Sequence, residues 1–158
     1  MDASIVLFAA DRMLGRLAKL LRLLGYDTVY GPGVTTPQLL EIARSSERTV
    51  LTRGDASKRF PGLTRIYSVR SEAPPEQLRE VVEHFALDTR SGLWTRCTLC
   101  NSPIAPVAKS EVKSGLDPKI FQLYEDFYRC TGCNHVYWRG SHVERIVRNL
   151  EALLASPK

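Results

Sequence analysis

The sequence predicts an α/β fold: a small three-layer parallel sheet, then a short module built around four cysteines, then a closing helix. Three observations carry this expectation. Strand-like apolar runs alternate with helix-like patterns through residues 5–87, with short connections between them, as in a parallel sheet covered by helices. The alternation stops at Thr89–Gly92, which places a boundary near residue 90 and divides the chain into 1–90 and 91–158. All four cysteines lie beyond that boundary, in two C-x-x-C pairs.

Taken in order, residues 5–10 (IVLFAA) read as a buried strand that ends on Asp11. From Arg12 the period becomes helical. Leu14, Leu17, Ala18, Leu21 and Leu24 share a face, widened by Met13, Leu20 and Leu23, while Arg12, Arg16, Lys19 and Arg22 follow the opposite face. Such a row of cations is either a solvated surface or a phosphate grip. Gly25 is placed to end the helix. Asp27–Tyr30 reads as a second strand. Thr36 is expected to cap a second helix that has Pro37 at its first position and runs to about Ser46. RTVLT (48–52) gives a third strand, RGDASKRFPG a loop or short helix, and TRIYSV (64–69) a fourth strand. Residues 74–87 form an amphipathic helix with Leu78, Val81, Val82 and Phe85 inward. Past the boundary, FYRC and HVYWRG are short β-like pieces. Ser141 with Glu144 has capping-box spacing and opens a last helix, whose apolar face runs through Val143, Ile146, Val147, Leu150, Leu153 and Leu154.

The chain has 158 residues, is 44% hydrophobic and carries a formal charge of +5. It can bury a core, and composition does not mark it as disordered. No apolar run reaches the ~18–20 residues of a membrane span, and the N-terminal segment lacks the positive lead of a secretory signal. The expectation is a soluble, cytoplasmic protein with no membrane partner. Residues 1–88 hold 12 Lys/Arg and 11 Asp/Glu, a net of +1; residues 89–158 hold 10 and 6, a net of +4. A positive balance of this kind favours anionic partners such as RNA.

In an intracellular chain, paired C-x-x-C motifs read as metal before disulfide. Each turn brings two thiolates to one metal, and two turns complete a tetrahedral site of the kind Zn²⁺ prefers, with Cys97, Cys100, Cys130 and Cys133 as ligands. Such a site is closed, so its metal is structural. Two reduced dithiols or a redox pair are the alternatives. Asn101 and Asn134 follow the pairs and tolerate the left-handed backbone such turns need. Around them, Trp94, Arg96, Lys109, Lys113, Lys119, Arg129, Tyr137, Trp138 and Arg139 have the chemistry of a nucleic-acid grip. The same aromatics can instead build the module's small core.

In parallel α/β sheets, ligands sit beyond the carboxyl ends of the strands. Asp11 ends the first strand and Asp55 follows the third. If those strands are neighbours, the two carboxylates can converge on Mg²⁺ or Mn²⁺, which activates water and clamps a phosphodiester. Capping a helix is the alternative use of each. Phosphate-binding glycine loops, G-x-S-x-G and H-E-x-x-H are absent, which removes the commonest nucleotide, hydrolase and metalloprotease classes.

DRMLGRLAKLLRLLGYD, LLEIA…RTVLTR, the two C-x-x-C motifs and VYWRGSHVER, in that order, resemble the Mut-seven C-terminal RNase family. The resemblance implies a PIN-like nuclease domain with a C-terminal zinc ribbon, acting as a metal-dependent ribonuclease. Asp11 matches the family's first active-site acid, and Arg12 the arginine after it. Where the second acid stands this chain has Thr36, with Glu41 the nearest carboxylate. Where the third follows LTR directly, Gly54 intervenes and Asp55 comes one residue late. Ser141 and His142 match the motif that closes the ribbon.

Two functions follow as expectations. In the first, an endoribonuclease uses Asp11, Asp55 and Glu41 to hold Mg²⁺ or Mn²⁺, with Arg12, Arg16, Arg53, Arg139 and His142 on RNA phosphates. In the second, an RNA- or ribosome-binding module has lost its catalytic acids and keeps the zinc ribbon. RNA is the expected partner in both, with tRNA and the ribosome as candidates, and the oligomeric state stays open.

Overall fold

The computed structural model describes residues 5–155. It divides into two compact units, one ending at Asn101 and one beginning at Ser102. That division falls later in the chain than the change of sequence pattern at residue 90.

The first unit is a four-stranded parallel sheet between helices. Its elements are β1 (Phe8–Ala10), α1 (Gly15–Leu23), β2 (Thr28–Val29), α2 (Thr36–Ser45), β3 (Thr49–Thr52), α3 (Ala56–Arg59), β4 (Ile66–Ser68) and α4 (Pro74–Phe85). The strand order is β2-β1-β3-β4, every pair parallel. Alternation along β1 sorts the layers. Ala9 turns to one face and packs with Leu39 and Ala43 of α2, Val50 and Phe60. Phe8 turns to the other and meets Phe85 of α4 edge-on at 5.3 Å; Leu17 and Leu21 of α1 and Leu78 and Val81 of α4 are buried as well. The strands were expected longer. β1 is confined to Phe8–Ala10, and Ile5 is exposed, because only the centre of a short parallel strand has partners on both sides.

The first helix departs from its expected form in two ways. Arg12–Leu14 is a 3₁₀ turn, and the α-helix begins at Gly15, so Met13 precedes the helical phase and is 64% exposed. Arg22, expected on the polar face, is buried. It flanks the apolar stripe where the helix passes the edge strand β2, whose outward carbonyls need donors that no further strand supplies. Gly25 ends the segment with φ +94°, and a β-carbon there would collide with the Gly92 carbonyl, so both the conformation and the close approach require glycine.

The cap of α2 is Thr35, not Thr36. Its hydroxyl accepts from Gln38 N, and Gln38 Oε1 accepts from Thr35 N at 2.9 Å. A cap at Thr36 would put Leu39 third in the helix, where it could not reciprocate. Thr36 is thereby the first helical residue, and its hydroxyl is left for other contacts.

The second unit contains an antiparallel sheet, β5 (Ile104–Val107), β6 (Phe127–Cys130) and β7 (Val136–Trp138), in the order β5-β6-β7. It also holds α5 (Pro118–Leu123) and α6 (Ser141–Ala155). β5 was not anticipated, since Pro106 interrupts its pattern; as an edge strand it tolerates a missing donor. Phe127 is buried, with Phe121 stacked on it at 6.4 Å. Ser141 is the first helical residue of α6, and Gly140 provides the carbonyl that accepts from Val143 N and Glu144 N, so the expected Ser141 cap lies one residue late.

Candidate functional site

β1 lies between β2 and β3, so the chain leaves it in one direction and returns on the other side. The carboxyl ends of β1 and β3 flank this reversal, where open parallel sheets take ligands. Asp11 stands there, 3% exposed. Its backbone N donates to Leu51 O on β3 at 2.9 Å, which fixes the side chain at the strand end. Oδ1 accepts from Arg12 N at 2.8 Å, capping the 3₁₀ turn. Oδ2 accepts from the buried Thr52 hydroxyl at 2.9 Å.

Arg59, from the end of α3, also contacts the carboxylate. Its Nη1 forms an ion pair with Oδ2, and its Nη2 donates to Oδ1 at 3.2 Å. Nη2 also makes a long 3.5 Å contact to the Thr36 hydroxyl. The guanidinium thus spans Asp11 and Thr36. Gly54 makes the space: a β-carbon there would lie 2.7 Å from Arg59 Cδ.

The other expected acids are placed differently. Asp55 caps α3, accepting from Ser57 Oγ at 2.6 Å, Ser57 N at 3.1 Å and Lys58 N at 3.3 Å, with Lys58 Nζ at 3.5 Å. The Ser57 hydroxyl bond is the main reason its pKa lies below the ordinary carboxylate value. Glu41 lies on the exposed face of α2. Among the described residues, the four cysteines are the one group of three or more His, Cys, Asp or Glu donors that converges as a metal site.

Of the expected RNA contacts, Arg12 and Arg16 are exposed near the start of α1. Arg53 is half-buried and holds a loop, donating to Ser71 O at 2.7 Å. Arg139 lies over the Tyr128 ring at 6.0 Å, and His142 meets Trp138 edge-on at 6.1 Å.

The ligand atoms of Cys97, Cys100, Cys130 and Cys133 all lie within 4.8 Å of one another. Tetrahedral Zn–S bonds of about 2.3 Å put sulfurs about 3.8 Å apart, so the donor set fits zinc. Gly132 N and Cys133 N point at Cys130 Sγ, at 3.3 and 3.4 Å, as thiolate-stabilising donors do. Asn101 and Asn134 take φ +73° and +62°, the left-handed backbone expected after each pair.

The first cysteine turn has its own anchors within the α/β unit. Asn101 Oδ1 accepts from Thr28 N at 3.0 Å, and its Nδ2 donates to Asp27 Oδ1 at 2.8 Å. Burial works to raise the Asp27 pKa, but donation from Arg48 and Asn101 outweighs it and leaves the group below its ordinary value. Arg22 donates to Thr28 O in β2, to Tyr30 O just past it, and to two carbonyls of this turn. Burial lowers its pKa, with the charges of Cys97 and Cys100 opposing; arginine stays protonated regardless.

Arg59, Thr52 and Arg22 escaped the sequence reading. Arg59 was hidden because it acts across 48 positions, on a helix of four residues that leaves almost no periodic signal. Arg22 was hidden because its spacing matched the solvated row.

Fold and sites together define a parallel α/β unit with an acidic residue at its topological switch point and a cluster of four cysteines whose geometry could hold a metal ion. The chain matches the family model of the Mut7-C RNAse domain over residues 6–150, nearly its whole length, and it belongs to that family. No curated protein and no solved structure matches it. No helix among the described residues is long and apolar enough to cross a membrane.

Proposed function

We propose that this chain is an RNA-binding member of the Mut7-C RNAse family in which an internal ion pair has taken over the metal centre. The observation that carries this reading is Arg59, whose guanidinium lies on both Asp11 oxygens and reaches Thr36. A divalent ion there would need carboxylates on more than one side. Instead a fixed cation neutralises the one acid, threonine stands where the family has its second, and Gly54 opens the space Arg59 fills. RNA is supported by the family and by the +5 charge, with the exposed Arg12 and Arg16 beside the switch point and Arg139 in the second unit as phosphate contacts. In this reading the four cysteines hold a structural Zn²⁺.

A second reading keeps cleavage. Asp11 is buried at the position where the fold gathers ligands, and Arg59 sits on a helix of only four residues. In this reading Asp11, with Asp55 or Glu41, would hold Mg²⁺ or Mn²⁺, which would supply an activated water and charge neutralisation at the phosphodiester.

One experiment separates them. Zinc-loaded protein is mixed with RNA with and without added Mn²⁺; chelators are left out because they would strip the cysteine site. The binding reading expects RNA retention without Mn²⁺, affinity falling steeply with salt, and no cleavage difference between wild type and Asp11→Asn. Mn²⁺-dependent cleavage that Asp11→Asn abolishes would replace it with the second reading. An absence of both RNA retention and cleavage under either condition would remove both readings.

A further inference from the structure

The buried Arg22 serves neither phosphate nor solvent. Its Nη1 donates to Thr98 O at 3.0 Å and to Leu99 O at 3.1 Å, the two carbonyls between Cys97 and Cys100. On the other side, Nε donates to Thr28 O at 2.9 Å and Nη2 to Tyr30 O at 3.2 Å. One planar fork therefore ties the edge of β2 to the inside of the first C-x-x-C turn. A lysine could not do this, since its donors radiate from one point.

Two costs of a four-cysteine zinc site meet their answer here. A C-x-x-C turn must curl tightly for both sulfurs to face one ion, and its inner carbonyls then lose regular partners. Zn²⁺ with four thiolates also carries a net charge of −2, which a nearby buried cation offsets. Arg22 meets both requirements from a helix of the α/β unit. The edge of β2 is satisfied by the same apparatus, with Thr28 N donating to Asn101 Oδ1.

We infer that Arg22 is a positioning residue of the zinc site: it presets the Cys97–Cys100 turn for metal and offsets the charge of the thiolates. Metal occupancy and the order of the β2 edge are thereby coupled. This rests on zinc at the four cysteines and is independent of whether RNA is bound or cut.

The test is zinc affinity of the full chain by competition with a chromogenic chelator, with Co²⁺ substitution to follow thiolate-to-metal absorption. Wild type is expected to bind one zinc; failure to do so would overturn zinc at the cysteines and this role with it. Arg22→Gln is expected to weaken zinc by about 10–100-fold, the usual effect of removing an outer-shell partner. Arg22→Lys, which keeps the charge and loses the fork, is expected to fall between. A lowered melting temperature with wild-type zinc affinity would mark a purely architectural arginine and overturn the inference. If Arg22→Gln does not fold, the wild-type chain decides. Removing zinc should speed hydrogen exchange at the Arg22 Nη1 protons, which face the cysteine turn, more than at Nε, and equal exchange with and without metal would overturn it.

Discussion

The four-cysteine cluster and the Asp11 carboxylate each have an arginine, and the arginines stand in opposite places. At the cysteines, Arg22 lies behind the ligands and donates to the carbonyls between them, leaving the thiols turned toward one another. At the switch point, Arg59 lies on the ligand itself and takes both oxygens of Asp11. The same side chain leaves four potential ligands facing one another in one position and occupies a carboxylate in the other. A carboxylate or thiol at a strand end or turn therefore does not fix its own use; what faces it does.

The largest effect that can break this comparison is at the cysteines. Cys97→Ser removes a ligand rather than its support, so zinc affinity is expected to fall beyond the 10–100-fold typical of outer-shell changes. Because structural zinc binding supplies folding energy, thermal stability should drop with it. Metal analysis after dialysis, alongside a melting curve, measures both. A Cys97→Ser chain that keeps one tightly held zinc and its wild-type melting temperature would show that the cluster is not a four-ligand site.

Arg59→Ala tests the other centre. Removing one partner of a buried pair commonly costs 3–5 kcal/mol. Arg59 is 26% exposed, so solvent reduces this to about 1–3 kcal/mol. If the guanidinium occupies a metal's place, Mn²⁺ should raise the melting temperature of Arg59→Ala and leave wild type unmoved. An equal response of the two chains would mean that Arg59 does not compete with metal.

Much of the scaffold was legible from periodicity, and the reason is particular. Leu17, Ala18, Leu21 and Leu24 repeat at helical spacing because they meet the sheet at that spacing, and they are buried as expected. The cysteine cluster was legible because C-x-x-C encodes ligand separation in a local turn. The acidic centre was legible only at Asp11. Its controlling contact is made by Arg59, from a helix too short to announce itself, through a gap opened by Gly54, and no local pattern links three such positions. Arg22 failed for a related reason: helical spacing reports which side of a helix a residue takes, not whether a strand edge and a cysteine turn wait there for a donor.

The smallest expected effect concerns a charge outside the cysteine cluster and the Asp11 site, and it checks that the α/β unit behaves as ordinary packed protein. The Glu80 carboxylate accepts from Tyr67 Oη at 3.0 Å, Arg70 N and Ser71 N at 2.9 Å, and Ser71 Oγ at 2.7 Å, pinning the segment between β4 and α4. Burial works to raise its pKa, but these donors prevail and the group lies below its ordinary value of 4.5. A carboxylate whose folded pKa is depressed adds stability above the unfolded value and loses it as pH falls through the folded one. Glu80→Gln keeps the shape, removes the charge and turns an amide N–H₂ toward backbone donors, so it should cost about 1–2 kcal/mol at pH 7. The gap between variant and wild type should begin to narrow as pH drops below about 4.5, where the unfolded chain takes up the proton, and should level off only once pH passes the lower folded value and the native side chain is neutral too. Urea unfolding of both chains across pH 3–7 reads the difference at each pH, with any acid loss of zinc common to both. A gap that stays constant would assign the cost to shape rather than to charge.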